Sequence, residues 1–272
     1  MDSNKVCFII AHKYFRGYPS YLKHYISNIQ KFYPEALTVV VDNNSVYKHD
    51  VFSEIEQLDN LVLLDNDITS KFELGAYQVG VRYIVENNLV DQYEYFVFTQ
   101  DNCVLKNKYD FNTLKQTNTY ALPVNSFYAD GECKEVCDKV LNTLKLNDNL
   151  DKINFCWCSN FVVASSKLEQ LYGYLKQIVV LYRWESCAGE RYLARILWEL
   201  NEQRECGDID GSAADLAIRH YDTWSVNIYD SATSYFVKKV QQKTENTVDS
   251  NEAQKVVHVP ADKHRNDYNA NN

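Results

Sequence analysis

The chain has 272 residues, 46% of them hydrophobic, which is ample for a buried core in one large α/β domain or two small ones. A formal net charge of -9 argues against a nonspecific nucleic-acid binder, because phosphate binding needs basic side chains that displace counterions. The ligands that suit this balance are small or neutral, sugars among them, and 21 Tyr, 12 Phe and 4 Trp supply rings that fill a core or stack on sugar faces.

The apolar run at 6–11 is too short for a signal segment or a membrane span, so the expectation is a soluble, cytoplasmic protein without an anchor. Residues 5–11 (KVCFIIA) read as a buried first strand, with His12 opening a polar loop over 12–17. After Pro19, the positions Leu22, Tyr25, Ile26, Ile29 and Phe32 recur at helical spacing until Pro34 ends the pattern. Residues 37–41 (LTVVV) form a second strand that runs into the turn formers Asp42, Asn43, Asn44 and Ser45. A weaker helix over 51–58 leads to a third strand at 61–64, which again ends in polar residues, Asp65, Asn66 and Asp67.

Residues 73–85 place Leu74, Tyr77, Val81 and Ile84 on one helical stripe, and Gly75 and Gly80 lighten that helix where something approaches closely. The run 95–98 is the fourth strand, delivering Gln100, Asp101 and Asn102 to its open end, where ligands of parallel sheets gather. A plain polar turn between two core strands is the alternative. Alternating strands and helices predict parallel pairing through right-handed crossovers.

Beyond Leu105 the alternation loosens. A strand is expected at 120–124, a helix of mixed polarity at 132–146, and a strand over 155–164 broken by Ser159 and Asn160. Ser165 or Ser166 can cap a helix that buries Leu168, Leu171, Tyr172 and Leu175. A further helix begins near Ala188 and buries Leu193, Ile196, Leu197 and Leu200, after the chemically loaded stretch 182–191 (YRWESCAGER). Residues 201–215 are turn-rich, 224–229 suit a strand, and 238–255 are too polar to pack. Eight cysteines, at 7, 103, 133, 137, 156, 158, 187 and 206, are read as reduced thiols. The group 133, 137, 156 and 158 lacks the paired spacing of zinc knuckles.

In this order, the first strand with its polar loop, VVVDNNS at 39–45, FELGAYQVG at 72–80 and FVFTQDNCVL at 96–105 resemble the nucleotide-sugar half of a GT-A glycosyltransferase. GERYLARIL at 189–197 is similar to the segment of such enzymes that starts an acceptor-side helix and often carries a catalytic carboxylate. The resemblance spans residues 5–200 and implies a GT-A-like single α/β domain over 1–236, with a Rossmann-like mixed sheet flanked by helices. Its nucleotide-sugar half covers 1–125, its acceptor half 126–236, and 237–272 form a polar flexible segment and tail.

The resemblance assigns Asp42 to the nucleobase or ribose, since a carboxylate accepts from N–H and hydroxyl donors, with Ala11, His12 and Asn44 beside it. An Asx-turn closing the strand is the structural alternative for this cluster. Lys71 and Gly75 fall where the donor-binding helix begins, and Lys71 can pair with a phosphate.

The family's metal-binding DxD falls on Gln100-Asp101-Asn102, a departure that keeps one carboxylate. Two routes follow: Mn²⁺ or Mg²⁺ held by Asp101 with amide oxygens, or metal-free neutralisation of the diphosphate by Lys263, His264 and Arg265. His258 or His264 is the candidate for a late metal ligand. Glu190 is the candidate base, with Glu185 as substitute because Arg191 stands where the family has Asp; an acid in the first turn of its helix is the bland reading of Glu190. Trp157 and Trp184 can stack on sugar rings, with Arg183 on the acceptor side.

The implied activity is transfer of a sugar from a nucleotide-sugar donor, a UDP-sugar first, to a hydroxyl of a glycan or glycoprotein, with inversion favoured. Compact enzymes of this type resemble those that large algal viruses use on capsid glycans, which would extend the donor to UDP-xylose and the location to a host cytoplasm. A non-catalytic nucleotide-sugar-binding module is the rival. A Rossmann methyltransferase is disfavoured, because AHKYFRG after the first strand has no glycine-rich run.

Overall fold

Seven consecutive buried residues make β1 (Val6–His12) the centre of the molecule, covered on both faces as its unbroken apolar sequence demands. The computed structural model describes residues 5–14, 20–101, 104–105, 107–124, 126–127, 134–146, 155–156, 159–203 and 224–225, all within the unit Met1–Asn227. Beside β1 lie β2 (Leu37–Asp42) and then β3 (Leu61–Asp65), with β4 (Tyr95–Gln100) on its other flank, all parallel. β9 (Phe161–Ala164) pairs antiparallel with β4, and β6 (Ala121–Pro123) antiparallel with β9. The sheet order is therefore β3-β2-β1-β4-β9-β6, a six-stranded mixed sheet. Two short pairs stand apart: β5 (Val104–Leu105) with β10 (Trp224–Ser225), and β7 (Ser126–Phe127) with β8 (Phe155–Cys156).

Alternation along the strands sorts the core into two layers. Cys7, Ile9, Ala11, Phe96 and Phe98 face one apolar cluster, packed under α3 (Phe72–Glu86), α5 (Lys134–Leu144), α6 (Leu168–Leu175) and α7 (Arg183–Leu200). Val6, Phe8, Ile10, Tyr95 and Val97 face the other, closed by α1 (Leu22–Phe32), α2 (His49–Phe52) and α4 (Asn112–Gln116). The predicted helical spacing in α1 holds, with Leu22, Tyr25, Ile26 and Ile29 fully buried. Phe98 and Phe161 stack at 4.5 Å, and Tyr77 meets both edge-on, which locks α3 against the β4–β9 pair.

Several boundaries differ from expectation. β1 extends through His12 and β4 through Gln100, so the polar residues read as loop begin inside the ladder. The expected helix over 51–58 is one short turn, α2. Ser165 and Ser166 lie in a 3-10 turn, and the residue preceding α6, Lys167, makes no side-chain cap. α7 starts at Arg183, five residues ahead of Ala188. Among the described residues no helix is long and apolar enough to cross a membrane, and Cys7, Cys137, Cys156 and Cys187 are free thiols.

Candidate functional site

The chain steps outward from β1 to β2 and β3, then crosses back to lay β4 on the opposite flank of β1. The crevice of such a sheet opens between the carboxyl ends of those two strands. Register decides what stands there: His12 pairs with Asp42, and Ala11 with Gln100, so the strand ends are level. Because β9 runs the other way, Phe98 faces Phe161 and the preceding Asn160 reaches the same rim. Asn160 is fully buried; its side-chain Oδ1 accepts the Gln100 N–H at 3.1 Å, and its carbonyl accepts the Val124 N–H at 2.9 Å and the Cys156 thiol at 3.2 Å.

His12 is 1% exposed and its Nδ1 lies 2.6 Å from Asp101 Oδ2. A carboxylate in its ionised form only accepts, so the pair forms a hydrogen bond with that form when Nδ1 carries the ring proton. The Lys13 N–H donates to the same oxygen at 3.1 Å, and the Asp101 N–H donates to the Ala11 carbonyl at 3.0 Å. Asp101 Oδ1 takes no hydrogen bond among the described residues, and the side chain is 25% exposed. His12 Nε2 is 3.9 Å from Asp42 Oδ1, too far for a hydrogen bond, and the ring lies 5.7 Å from that of Phe52.

Asp42 has another role from the one expected. It is fully buried, and its oxygens accept the Ser45 N–H at 2.6 Å and the Ser45 hydroxyl at 2.5 Å. Ser45 Oγ in turn accepts the Tyr14 N–H at 2.8 Å. The carboxylate closes the turn after β2, with both oxygens already accepting hydrogen bonds. Two further expectations need the same correction: His12 is buried and its Nδ1 meets Asp101, and Gly75 is filled from within. A Cβ at Gly75 would stand 2.1 Å from the Ser70 carbonyl oxygen and 2.7 Å from Asn66 Nδ2, so what approaches α3 closely is the chain itself. At Gly80 it is Ile9, 2.5 Å away.

Lys13 is the residue that sequence reasoning missed, although its place directly after the first strand was the signal. Its ammonium donates to the carbonyls of Asn43 at 2.6 Å and Asn44 at 2.8 Å, bridging the mouths of β1 and β2. Burial lowers its pKa; the Asp42 charge opposes that shift and the Lys71 charge adds to it. Lys71 is exposed directly before α3, and its N–H donates to the Val180 carbonyl at 2.7 Å. Asn44 is exposed, with a left-handed φ of 58°. Ala11 is buried and contributes its carbonyl alone.

On the acceptor side, Glu185 caps its helix. Its Oε2 accepts the N–H groups of Leu181 at 2.7 Å and Tyr182 at 3.1 Å, satisfying the amino end of α7. Glu190 lies two turns into the helix and so does not meet the dipole in the first turn. It is partly exposed, and its charge adds to burial in pushing the Cys156 thiol well up. Arg183 pairs with Glu73 at 3.2 Å, and Ser186 donates to the same carboxylate, joining the starts of α7 and α3. Trp184 is 51% exposed and Tyr182 43%, their rings nearly parallel at 6.4 Å. Asn102, Trp157, His258, Lys263, His264 and Arg265 lie outside the described residues.

Compared with known proteins, the chain matches no protein-family model and no curated sequence. Among the described residues no cluster of three or more His, Cys, Asp or Glu side chains is arranged to hold a metal. The donor set fits a cation in one way only. Mg²⁺ and similar ions are commonly held by one or two carboxylates together with substrate phosphates and water, and Asp101 Oδ1 supplies one such oxygen. Two surface grooves lie elsewhere: one along Gln78, Arg82, Tyr172 and Lys176, the other at the opposite end of β4 by Tyr95, Lys115 and Ser166.

Proposed function

We propose that the chain is a glycosyltransferase of the cytoplasm, using a nucleotide-sugar donor, a UDP-sugar before others, and a hydroxyl of a glycan or glycoprotein as acceptor. The observation that carries the reading is Asp101: a partly exposed carboxylate at the switch point between β1 and β4, with Oδ2 engaged by two groups at the end of β1 and Oδ1 without a hydrogen bond among the described residues. Sugar transfer is asked of this site because the four ordered motifs end here, not because the fold alone dictates a reaction.

In this reading Asp101 Oδ1 would hold a divalent cation together with the donor diphosphate, and the chemistry such a cation would supply is charge neutralisation of the leaving group. Lys13 adds positive charge at the carboxyl ends of β1 and β2, with the Lys71 charge acting on it. Glu190 takes the proton from the acceptor hydroxyl as its oxygen bonds to the anomeric carbon. The bond from that carbon to the diphosphate oxygen breaks, its electron pair leaves with the nucleotide, and the configuration inverts. Trp184 and Tyr182 offer flat apolar faces to an acceptor ring, with Arg183 beside them. UDP-xylose is the first pentose donor to try, and a viral origin with action in a host cytoplasm belongs to the same reading.

A non-catalytic nucleotide-sugar-binding module is the second reading, favoured by the single Asp101 oxygen without a hydrogen bond among the described residues and by the loss of Glu185 to capping. Thermal melts with UDP-sugars in MnCl₂ or EDTA test both. The proposal expects a donor-dependent rise in Tm that Asp101→Ala abolishes while the unliganded Tm changes little. No rise with any nucleotide sugar contradicts both readings; a rise without transfer or hydrolysis of the donor selects the binding module.

A further inference from the structure

We infer that His12 is a positioning residue whose Nδ1–H aims Asp101 and holds its free oxygen toward the rim. The inference rests on the reading above, in which Asp101 meets the donor. His12 cannot meet the donor itself, being 1% exposed at the end of a strand buried along its whole length. Its backbone is held opposite Asp42 by the β1–β2 ladder, and its ring lies 5.7 Å from that of Phe52 and 2.6 Å from Asp101 Oδ2.

Asp101 needs such help because it stands one residue beyond the last rung of β4, where the ladder no longer orients side chains. Two donors converge on Oδ2, the imidazole N–H and the Lys13 amide, and both come from the end of β1. They occupy one oxygen and leave the other for a ligand. An outer-shell partner of this kind orients a ligating group, and its loss typically costs ~10–100-fold in affinity. The companion nitrogen is consistent with this division of labour: among the described residues Nε2 makes no hydrogen bond, and Nδ1 meets Asp101.

The test compares His12→Phe, which keeps a ring and loses the N–H, with His12→Asn, whose amide N–H stands near the place of Nδ1–H. Calorimetric titration with UDP in MnCl₂ is the binding readout, and the ¹⁵N spectrum of the unliganded wild type reports which ring nitrogen of His12 is protonated. The inference expects His12→Phe to weaken UDP by ~10–100-fold. It expects His12→Asn to recover most of that loss, His12→Phe to cost nothing further in an Asp101→Ala background, and a protonated Nδ1 that loses its proton preference in Asp101→Ala. Equal losses in the Phe and Asn variants, no loss in either, or a bare Nδ1 overturns it. If wild type ignores UDP, the donor reading fails, and the ¹⁵N spectrum alone then decides whether His12 holds Asp101.

Discussion

Asp42 and Asp101 are the same residue type at the ends of neighbouring-but-one parallel strands, and the fold uses them in opposite ways. Asp42 commits both oxygens to Ser45, three residues on, whereas Asp101 keeps one oxygen without a hydrogen bond among the described residues. That carboxylates sit at strand ends was legible from apolar runs breaking into polar clusters. Which of them turns inward was not, because the answer depends on a hydroxyl placed to cap the turn and on a histidine from another strand. Asn160 shows the same limit: it read as an interruption of a strand and is the buried knot that joins β4, β6 and β8. Asn160→Ala leaves the Gln100 N–H without its acceptor, which should cost ~1–3 kcal/mol in urea unfolding. Asn160→Asp, which keeps an acceptor oxygen, should lose less. Equal stability of Asn160→Ala and wild type would remove Asn160 from its place in the rim.

At the scale of elements, the alternation of buried strands with amphipathic helices was readable up to β4, because those periods are local. The antiparallel insertion of β9 between β4 and β6 was not, since it is decided by pairing between distant segments. The start of α7 was missed for a different reason: Arg183, Trp184 and Glu185 carried so much chemical promise that the stretch read as a loop. The cue was Glu185, three residues after Tyr182, in the position of a capping acid. The left-handed φ of 59° at Phe72, which opens α3 beside Lys71, had no cue, as an aromatic side chain avoids that region.

Glycines in these helices divide by what surrounds them. Gly75→Ala gains helix propensity, but its Cβ would meet the Ser70 backbone at 2.1 Å, so the fold should lose ~1–3 kcal/mol. Gly173, in α6, has nothing within 4 Å of where a Cβ would stand, and Gly173→Ala should be neutral or stabilising by up to ~1 kcal/mol. Denaturant melts of the two variants check this. A Gly75→Ala protein as stable as wild type would mean that the contact between α3 and the loop at 66–70 is not tight.

For the molecule as a whole, the acidic balance and the topology act together. A chain of net charge -9 carries Lys13 at the carboxyl ends of β1 and β2, with the Lys71 charge acting on it, so the proposed anionic donor would meet local positive charge on an otherwise acidic protein. The central claim is one of place: the ligand lies across the carboxyl ends of β1 and β4. Hydrogen–deuterium exchange with and without a UDP-sugar in MnCl₂ measures this most directly. The account predicts slowed exchange in the segments around His12–Lys13, Asn43–Ser45 and Gln100–Asp101 and at the start of α3. Slowing confined to the groove by Arg82 and Lys176, or to the far end of β4 near Tyr95, would contradict it.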